Sequence, residues 1–306
     1  MEKRLFIGVD GGGTKTALTA LDGEGREQAS AFCPPLNYHF IGVDAALAHL
    51  RQGLDALQVP HERIAAVGIG DPALDDVTSG AAAHRFAAAA RELLGVPVYI
   101  RSDAYMTLYA LTGGEGPGVL TISGTGAMSI AENASGEIFV AGGWGRLTGD
   151  EGSGYYIGLC GIRAALHAAD GITPPTSLLG AALDHFGCET SRALIDVFYG
   201  EREPDVAGFA RRVATCAETG DGRAAEILSD AAGYLADYTA VLMEKSGADR
   251  VGVYGSVLCR NRAVREEFER RILSRYPSAT VAEPTVSAQV AAALYAKNQW
   301  RKEETV

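Results

Sequence analysis

Apolar and small residues run unbroken from Leu5 to Val9 and stop at Asp10. A continuous run this short predicts a buried strand over 5–10, not a surface helix. Polar and apolar positions then alternate over 15–21, which predicts a second strand, with 11–14 as the turn between them. Asp22-Gly23 opens a tight turn, and 26–33 reads as a third strand, so the chain starts with a three-stranded meander. Pro34-Pro35-Leu36-Asn37 breaks it. Ala46, Leu47, Leu50, Leu54 and Leu57 then fall at helical spacing, which predicts a helix over 43–57. A small-residue strand over 64–70, a helix over 84–94 ended by Gly95, a strand over 96–101 and a helix over 104–112 come next.

Residues 112–118, rich in glycine, read as a linker, and the chain beyond it repeats the start. "VLTISGTGAMSIAENASGEIFVAGG" is again strand, glycine loop, strand, turn, strand. Gly124-Thr125-Gly126 answers Gly11-Gly12-Gly13, and residues 133–136 answer 22–25. Two copies of one unit are expected, in an α/β fold. Past Gly149 the pattern is mostly helical, over 154–169, 177–186, 190–199, 206–218 and 223–246. A strand over 250–254 meets Gly255, then come a helix over 262–275 and a short strand over 279–282. The last helix, alanine-rich, spans 287–300 and can pack back on the first half.

Composition narrows the class. The 306 residues include 47% hydrophobic and 21% charged side chains, ordinary for a globular protein with a sizeable core. A net charge of −11 argues against nucleic acid and anionic membranes as partners. Five scattered cysteines and no Cys-x-x-Cys pair fit a reducing cytoplasm. No signal-peptide pattern or long apolar stretch is present.

The glycine loops are the candidate chemistry. A glycine run brings backbone amides within reach of a ligand, and amides converging on one hollow hold an anion. Two such loops suit a polyphosphate. Thr14, Thr16 and Thr125 offer hydroxyls and Lys15 a charge. Asp10 suits a water-mediated Mg²⁺ ligand, because Mg²⁺ gives up its waters reluctantly. Each loop alone can equally be a plain hairpin turn. The first loop matches neither the P-loop, since 8–14 has no lysine in place, nor the dinucleotide fingerprint, since Thr16 stands where its third glycine belongs.

"IGVDGGGTKT", "SDA", "ISGTGAMS", "GGWGRLTGDEGS" and "VYGSV" stand in this order along the chain, and together they resemble the N-acetylglucosamine kinase family. That family is grouped with the BadF/BadG/BcrA/BcrD ATPases in the sugar kinase, Hsp70 and actin superfamily. The resemblance implies two RNase-H-like (actin-like ATPase) lobes, 1–112 and 113–306 with a helical insertion, around a nucleotide cleft. ATP and Mg²⁺ are the implied co-substrates, and a homodimer the implied assembly. It casts Asp103 as the base that takes the proton from the sugar hydroxyl. Asn37, Asp103, Gly143, Trp144, Gly145 and Asp150 become sugar contacts. Gly11, Gly12, Gly13, Thr14, Lys15, Thr16, Gly124, Thr125, Gly126, Gly255 and Ser256 become ATP contacts, and Asp10 the metal residue.

Simpler roles compete at several positions. Asp103 can be a helix cap, although Ser102 can take that part. Glu151 can be a helix-dipole partner, Trp144 a core residue and Asn37 a turn residue. The implied activity is transfer of the γ-phosphoryl of ATP to the 6-hydroxyl of N-acetylglucosamine or a relative such as glucosamine or N-acetylmuramic acid. The alternative is an ATPase activator of a radical dehydratase or reductase. Those relatives carry cysteines beside the second loop, where this chain reads "SGTGAMSIAEN". A third reading is a regulatory module that binds ATP without turnover.

Overall fold

The computed structural model describes residues 4–12, 14–71, 74 and 81–305. In chain order the elements are β1 (Leu5–Gly11), β2 (Thr16–Asp22), β3 (Glu27–Cys33), α1 (Tyr38–Ile41), α2 (Val43–Ala56), β4 (Ile64–Asp71), α3 (Ala81–Leu94), β5 (Val98–Ser102) and α4 (Asp103–Thr112). Then come β6 (Gly118–Ser123), β7 (Ala127–Glu132), β8 (Ile138–Gly142), α5 (Gly154–Ala169), α6 (Leu178–Phe186), α7 (Leu194–Tyr199), α8 (Val206–Glu218) and α9 (Gly222–Ser246). The chain closes with β9 (Arg250–Tyr254), α10 (Ser256–Arg260), α11 (Arg262–Arg275), β10 (Thr280–Ala282) and α12 (Ala288–Glu304). Contacts divide it into two compact units. Unit 1 is Met1–Gly118, Ala134–Ile138 and Pro284–Val306; unit 2 is Val119–Asn133 and Phe139–Glu283.

In unit 1 the sheet order is β3-β2-β1-β4-β5. The meander pairs antiparallel, and β1, β4 and β5 run parallel. One face buries Ile7, Val9, Val67 and Ile69 against Leu50 and Leu54 of α2 and Phe86 of α3. Phe6 and Ala66, one step away along their strands, face the other side and pack on Ala296 and Trp300 of α12. Removing a side chain such as Phe6 from water contributes about 2 kcal/mol.

The small residues of these strands have a packing reason. Gly8 and Gly68 are Cα partners across β1 and β4. A Cβ at Gly8 would lie 1.8 Å from the Gln289 carbonyl oxygen, and one at Gly68 2.0 Å from that of Ala292. The paired glycines make a furrow in the sheet that admits the α12 backbone itself. Ala291, Ala292, Ala293 and Ala296 are buried in α12. The last helix therefore belongs to unit 1 although it closes the chain. It also runs four residues past the 287–300 read from sequence, to Glu304.

Unit 2 repeats the plan with strand order β10-β9-β6-β7-β8. β6 takes the place of β1, with the next strands of its own meander on one side and the parallel β9 and β10 on the other. Its core gathers Val251 and Val253 of β9, Phe209 and Val213 of α8, Leu235 of α9 and Phe268 of α11. The 25-residue α9 is fixed at both ends. Asp221 caps it by accepting from the Ala224 amide, and Gly247 ends it in the left-handed conformation.

Candidate active site

The parallel strands β1, β4 and β5 of unit 1 end at the same edge, so Asp10, Asp71 and Ser102-Asp103 come to the carboxyl end of the sheet. That edge is where open α/β sheets take their ligands. Gly70 lets α4 come close: a Cβ there would stand 3.2 Å from Met106 Cγ and 3.5 Å from Asp103 Cα. Ser102 is the cap of α4, its Oγ accepting from the Tyr105 amide at 2.9 Å. Asp103, the first residue of the helix, is thereby released from capping; its Oδ1 accepts from the next amide in the chain, Ala104 at 2.7 Å. Burial, and then the charge of Asp103, push the Asp10 carboxyl above the usual carboxylate range.

The first glycine loop departs from expectation at one residue. Gly11 ends β1, and a Cβ at Gly12 would collide with the Lys15 carbonyl at 2.4 Å, so the loop folds on itself at a glycine. Gly13 lies outside the described residues. Thr14 is exposed. Thr16 is not available to a phosphate. It is 0% exposed, paired with Cys33 across β2 and β3. Entry into the strand, one residue after the loop, turns its hydroxyl inward, which corrects its place among the ATP contacts. The Lys15 ammonium lies 4.6 Å from the centre of the exposed Phe32 ring, a cation–π contact at the sheet surface. Asn37 starts the turn into α1, its carbonyl accepting from the amides of Phe40 and Ile41 at 3.1 and 3.2 Å.

In unit 2 the second loop leans on a helix. The Gly124 and Thr125 carbonyls accept from the Gly154 and Tyr155 amides at 2.8 and 3.2 Å, at the start of α5. Gly255, with φ of 92°, closes the other side, since a Cβ there would lie 2.4 Å from the Ser123 carbonyl oxygen. Ser256 then begins α10. Beside the loop opens a cavity of about 410 Å³, within the range of small-molecule pockets. Its floor holds Gly124, Thr125 and Gly154, and its walls come from α8 (Arg211, Thr215, Glu218) and from Ser256, Arg260 and Asn261.

Between β8 and α5 the chain turns through left-handed conformations at Gly142, Gly143, Gly145 and Gly152, and at one non-glycine, Asp150, with φ of 61°. A side chain held there is strained, and such strain gathers at functional sites. Asp150 is 8% exposed. Its Oδ1 accepts from the Gly145 amide at 3.2 Å. Its Oδ2 would lie 2.9 Å from a Cβ at Gly126, so that glycine of the second loop makes room for it. Burial raises the Asp150 carboxyl, and the amides of Gly145 and Ala127 oppose the rise. Trp144 is 78% exposed, which sets aside the core reading. Glu151 accepts from the Tyr238 hydroxyl, while Ser153 caps α5 by accepting from the Tyr156 amide at 3.0 Å.

The profile of the BadF/BadG/BcrA/BcrD ATPase family matches residues 7–296. The chain belongs to that family. It is 32% identical over 320 residues to the N-acetyl-D-glucosamine kinase of Dictyostelium discoideum, covering 97% of this chain and 99% of that one. It is 31% identical to the N-acetylmuramic acid/N-acetylglucosamine kinase of Clostridium acetobutylicum, over 75% and 76% of the two. Among solved structures, a Streptomyces griseus ROK family glucokinase in complex with glucose and AMPPNP shares the fold, with a TM-score of 0.57, 21% identity and coverage of 96% and 99%.

Sequence reasoning missed Asp71 and the cavity walls. Asp71 stands one residue past the predicted strand. Arg211, Thr215 and Glu218 carry a signal in hindsight, since spacing of four and three puts them on one helix face.

Proposed function

We infer that this member of the family is an ATP-dependent amino-sugar kinase that phosphorylates the 6-hydroxyl of N-acetylglucosamine or a close relative. The observation that carries the reading is Asp103: a carboxylate at the carboxyl end of parallel strands, its capping duty taken by Ser102. It accepts the hydroxyl proton as the sugar oxygen bonds to the γ-phosphorus and the bond to the β-phosphate oxygen breaks. Asp150, fixed by Gly145 and by the room at Gly126, takes sugar hydroxyl hydrogens, and the exposed Trp144 offers an apolar face to C–H edges. The cavity beside Gly124 and Ser256 suits the adenosine, and Gly11, Gly12 and Thr14 the phosphates.

Asp10 fits Mg²⁺. Two neighbouring carboxylates resist sharing a site without a cation. Among the described residues no cluster of three His, Cys, Asp or Glu forms a closed cage, and Mg²⁺ in phosphoryl-transfer sites is held by one or two carboxylates with waters and phosphate. When bound, the ion neutralises charge on the β- and γ-phosphates. A homodimer in the cytoplasm belongs to the same reading. The activator alternative has no support, since the second loop lacks cysteine and the relatives matched over most of the chain are kinases.

Glucosamine, N-acetylglucosamine, N-acetylmannosamine and N-acetylmuramic acid, each with Mg²⁺·ATP in a coupled ADP assay, test the reading. At least one should stimulate ADP release several-fold and give a 6-phosphate by mass and NMR. ADP release that no sugar stimulates would refute it.

A further inference from the structure

The stretch that carries Trp144 and Asp150 is fastened to α9, and one side chain touches both of its ends. At the start, Gly142 packs on the Tyr238 ring: a Cβ there would lie 3.1 Å from Cε2. At the far end the Tyr238 hydroxyl donates to Glu151, the residue after Asp150. Burial first, then the bond and charge of Glu151, raise the phenol, so it keeps its proton and stays the donor. Both side chains are half-buried. Further back along α9, Gly152 fits against Leu235 and Ala231: a Cβ there would stand 2.5 Å from Leu235 Cγ and 2.8 Å from the Ala231 carbonyl oxygen. Ala231, Leu235 and Tyr238 are spaced by four and three, so they share one face of the helix.

Asp150 is where this fastening matters. A non-glycine residue at φ of 61° is strained, and it stays there only where its surroundings over-determine it. Its Oδ1 accepts from the Gly145 amide, but Gly145 belongs to the same stretch, so that bond alone does not fix where the carboxylate sits. Backbone groups hold the flanks: the Gly143 amide donates to the Ala127 carbonyl at 3.0 Å, and Ser123 Oγ to the Gly152 carbonyl at 2.8 Å. Glu151 lies between Asp150 and Gly152. With its side chain held on Tyr238, the peptide that joins it to Asp150 is held too, and with that peptide the direction of the Asp150 side chain.

We propose that Tyr238 and Glu151 are positioning residues for the sugar: the bond from phenol to carboxylate clasps the ends of 142–151 and keeps Asp150 in its left-handed conformation, ready for sugar hydroxyls. The proposal rests on the amino-sugar kinase reading. It differs from a plain structural role because it acts through Asp150.

Tyr238→Phe keeps the ring against Gly142 and removes the donor; Glu151→Ala removes the acceptor. Sugar affinity by calorimetry and kcat/KM for the sugar should fall roughly tenfold in either, the scale of one hydrogen bond to a charged group. KM for ATP should stay within about twofold. The double variant should lose no more than either single one, because the two changes break the same bond. Glu151→Gln, which keeps an acceptor, should restore most of what Glu151→Ala loses. A second readout needs no sugar. Trp144 and Trp300 are the two tryptophans, and Trp300 packs on Phe6 in unit 1. In a Trp300→Phe background Tyr238→Phe should enlarge the fast component of the Trp144 anisotropy decay, with thermal unfolding as the folding control. Sugar affinity unchanged in a folded Tyr238→Phe overturns the proposal, even where Trp144 becomes more mobile, since the bond would then be structural only. So does a Glu151→Gln as impaired as Glu151→Ala, which would mean that the charge acts directly. A wild-type chain that neither binds nor phosphorylates any amino sugar overturns the kinase reading first and this one with it.

Discussion

Gly126→Ala separates two roles that one glycine can play. The resemblance places Gly126 among the ATP contacts, whereas the structure sets it against Asp150. Its φ is not in the left-handed region, so alanine is tolerated by the backbone. The new Cβ would lie 2.9 Å from Asp150 Oδ2, where ordinary contact begins at 3.4 Å. The carboxylate must yield by the difference, 3.4 − 2.9 = 0.5 Å. It is the far end of a side chain, so it can move, and the stability cost stays at the low end of the 1–3 kcal/mol typical of overpacking. Its movement nevertheless stretches the bond from the Gly145 amide, already 3.2 Å. A misplacement of about 1 Å can cost about 100-fold, so half of it should cost roughly tenfold in kcat/KM for the sugar. KM for ATP should change less than about threefold. The assay is initial-rate kinetics with each substrate varied in turn, with thermal unfolding as control. A rise in ATP KM larger than the loss on the sugar side would refute the reasoning and return Gly126 to the phosphates.

Asp103→Asn should leave folding and ATP affinity nearly intact and lower kcat by at least about 100-fold, the scale of a lost general base; activity within a few-fold of wild type would mean that Asp103 has no part in proton transfer. Asp10→Asn should stabilise the ligand-free protein and weaken the response of its melting temperature to Mg²⁺·ADP. The sign follows from linkage: a carboxyl raised on folding makes its ionisation destabilising, so the variant's advantage should be absent below about pH 4, grow as pH rises through the raised value and then level off. An advantage that shrank toward neutral pH would contradict this. Gly68→Ala should destabilise unit 1 by at least about 1–3 kcal/mol, because the clash at 2.0 Å is with backbone and α12 must shift as a whole; denaturant unfolding with an unchanged midpoint would refute it.

Most of the elements were legible because their patterns are local. The run from Leu5 to Val9, the turn at Asp22-Gly23 and the copy of both in the second half need no partner to be recognised, and the second sheet repeats the strand order of the first. Positions whose meaning lies in a neighbour were not legible. Thr16 sits in a glycine-loop motif, yet the register with Cys33 decides that its hydroxyl is buried. The spacing of Gly8 and Gly68, sixty residues apart, says nothing until β1 and β4 pair and α12 returns from the end of the chain to fill the furrow. For Trp144 the sequence left a sugar contact and a core residue side by side, and only the exposed ring, flanked by Gly143 and Gly145 at positive φ, sets the core reading aside. Asp71 fell just past a predicted strand end.

The duplicated units also show why similar loops need not do the same work. In the second loop the carbonyls of Gly124 and Thr125 are taken by the amides that open α5. Carbonyl oxygens repel a phosphate, and fixing two of them toward a helix leaves the opposite side of the loop more favourable to an anion. The first loop runs from β1 into β2 at Thr16. Its charged neighbours are instead the carboxylates Asp10 and Asp103 at the carboxyl end of the sheet. A phosphate beside two carboxylates needs a cation between them, whereas a phosphate beside the second loop meets backbone dipoles. The same strand–loop–strand pattern thus offers two kinds of anion site: in unit 1 carboxylates that suit a metal-bridged anion, and in unit 2 backbone amides with a cavity beside them.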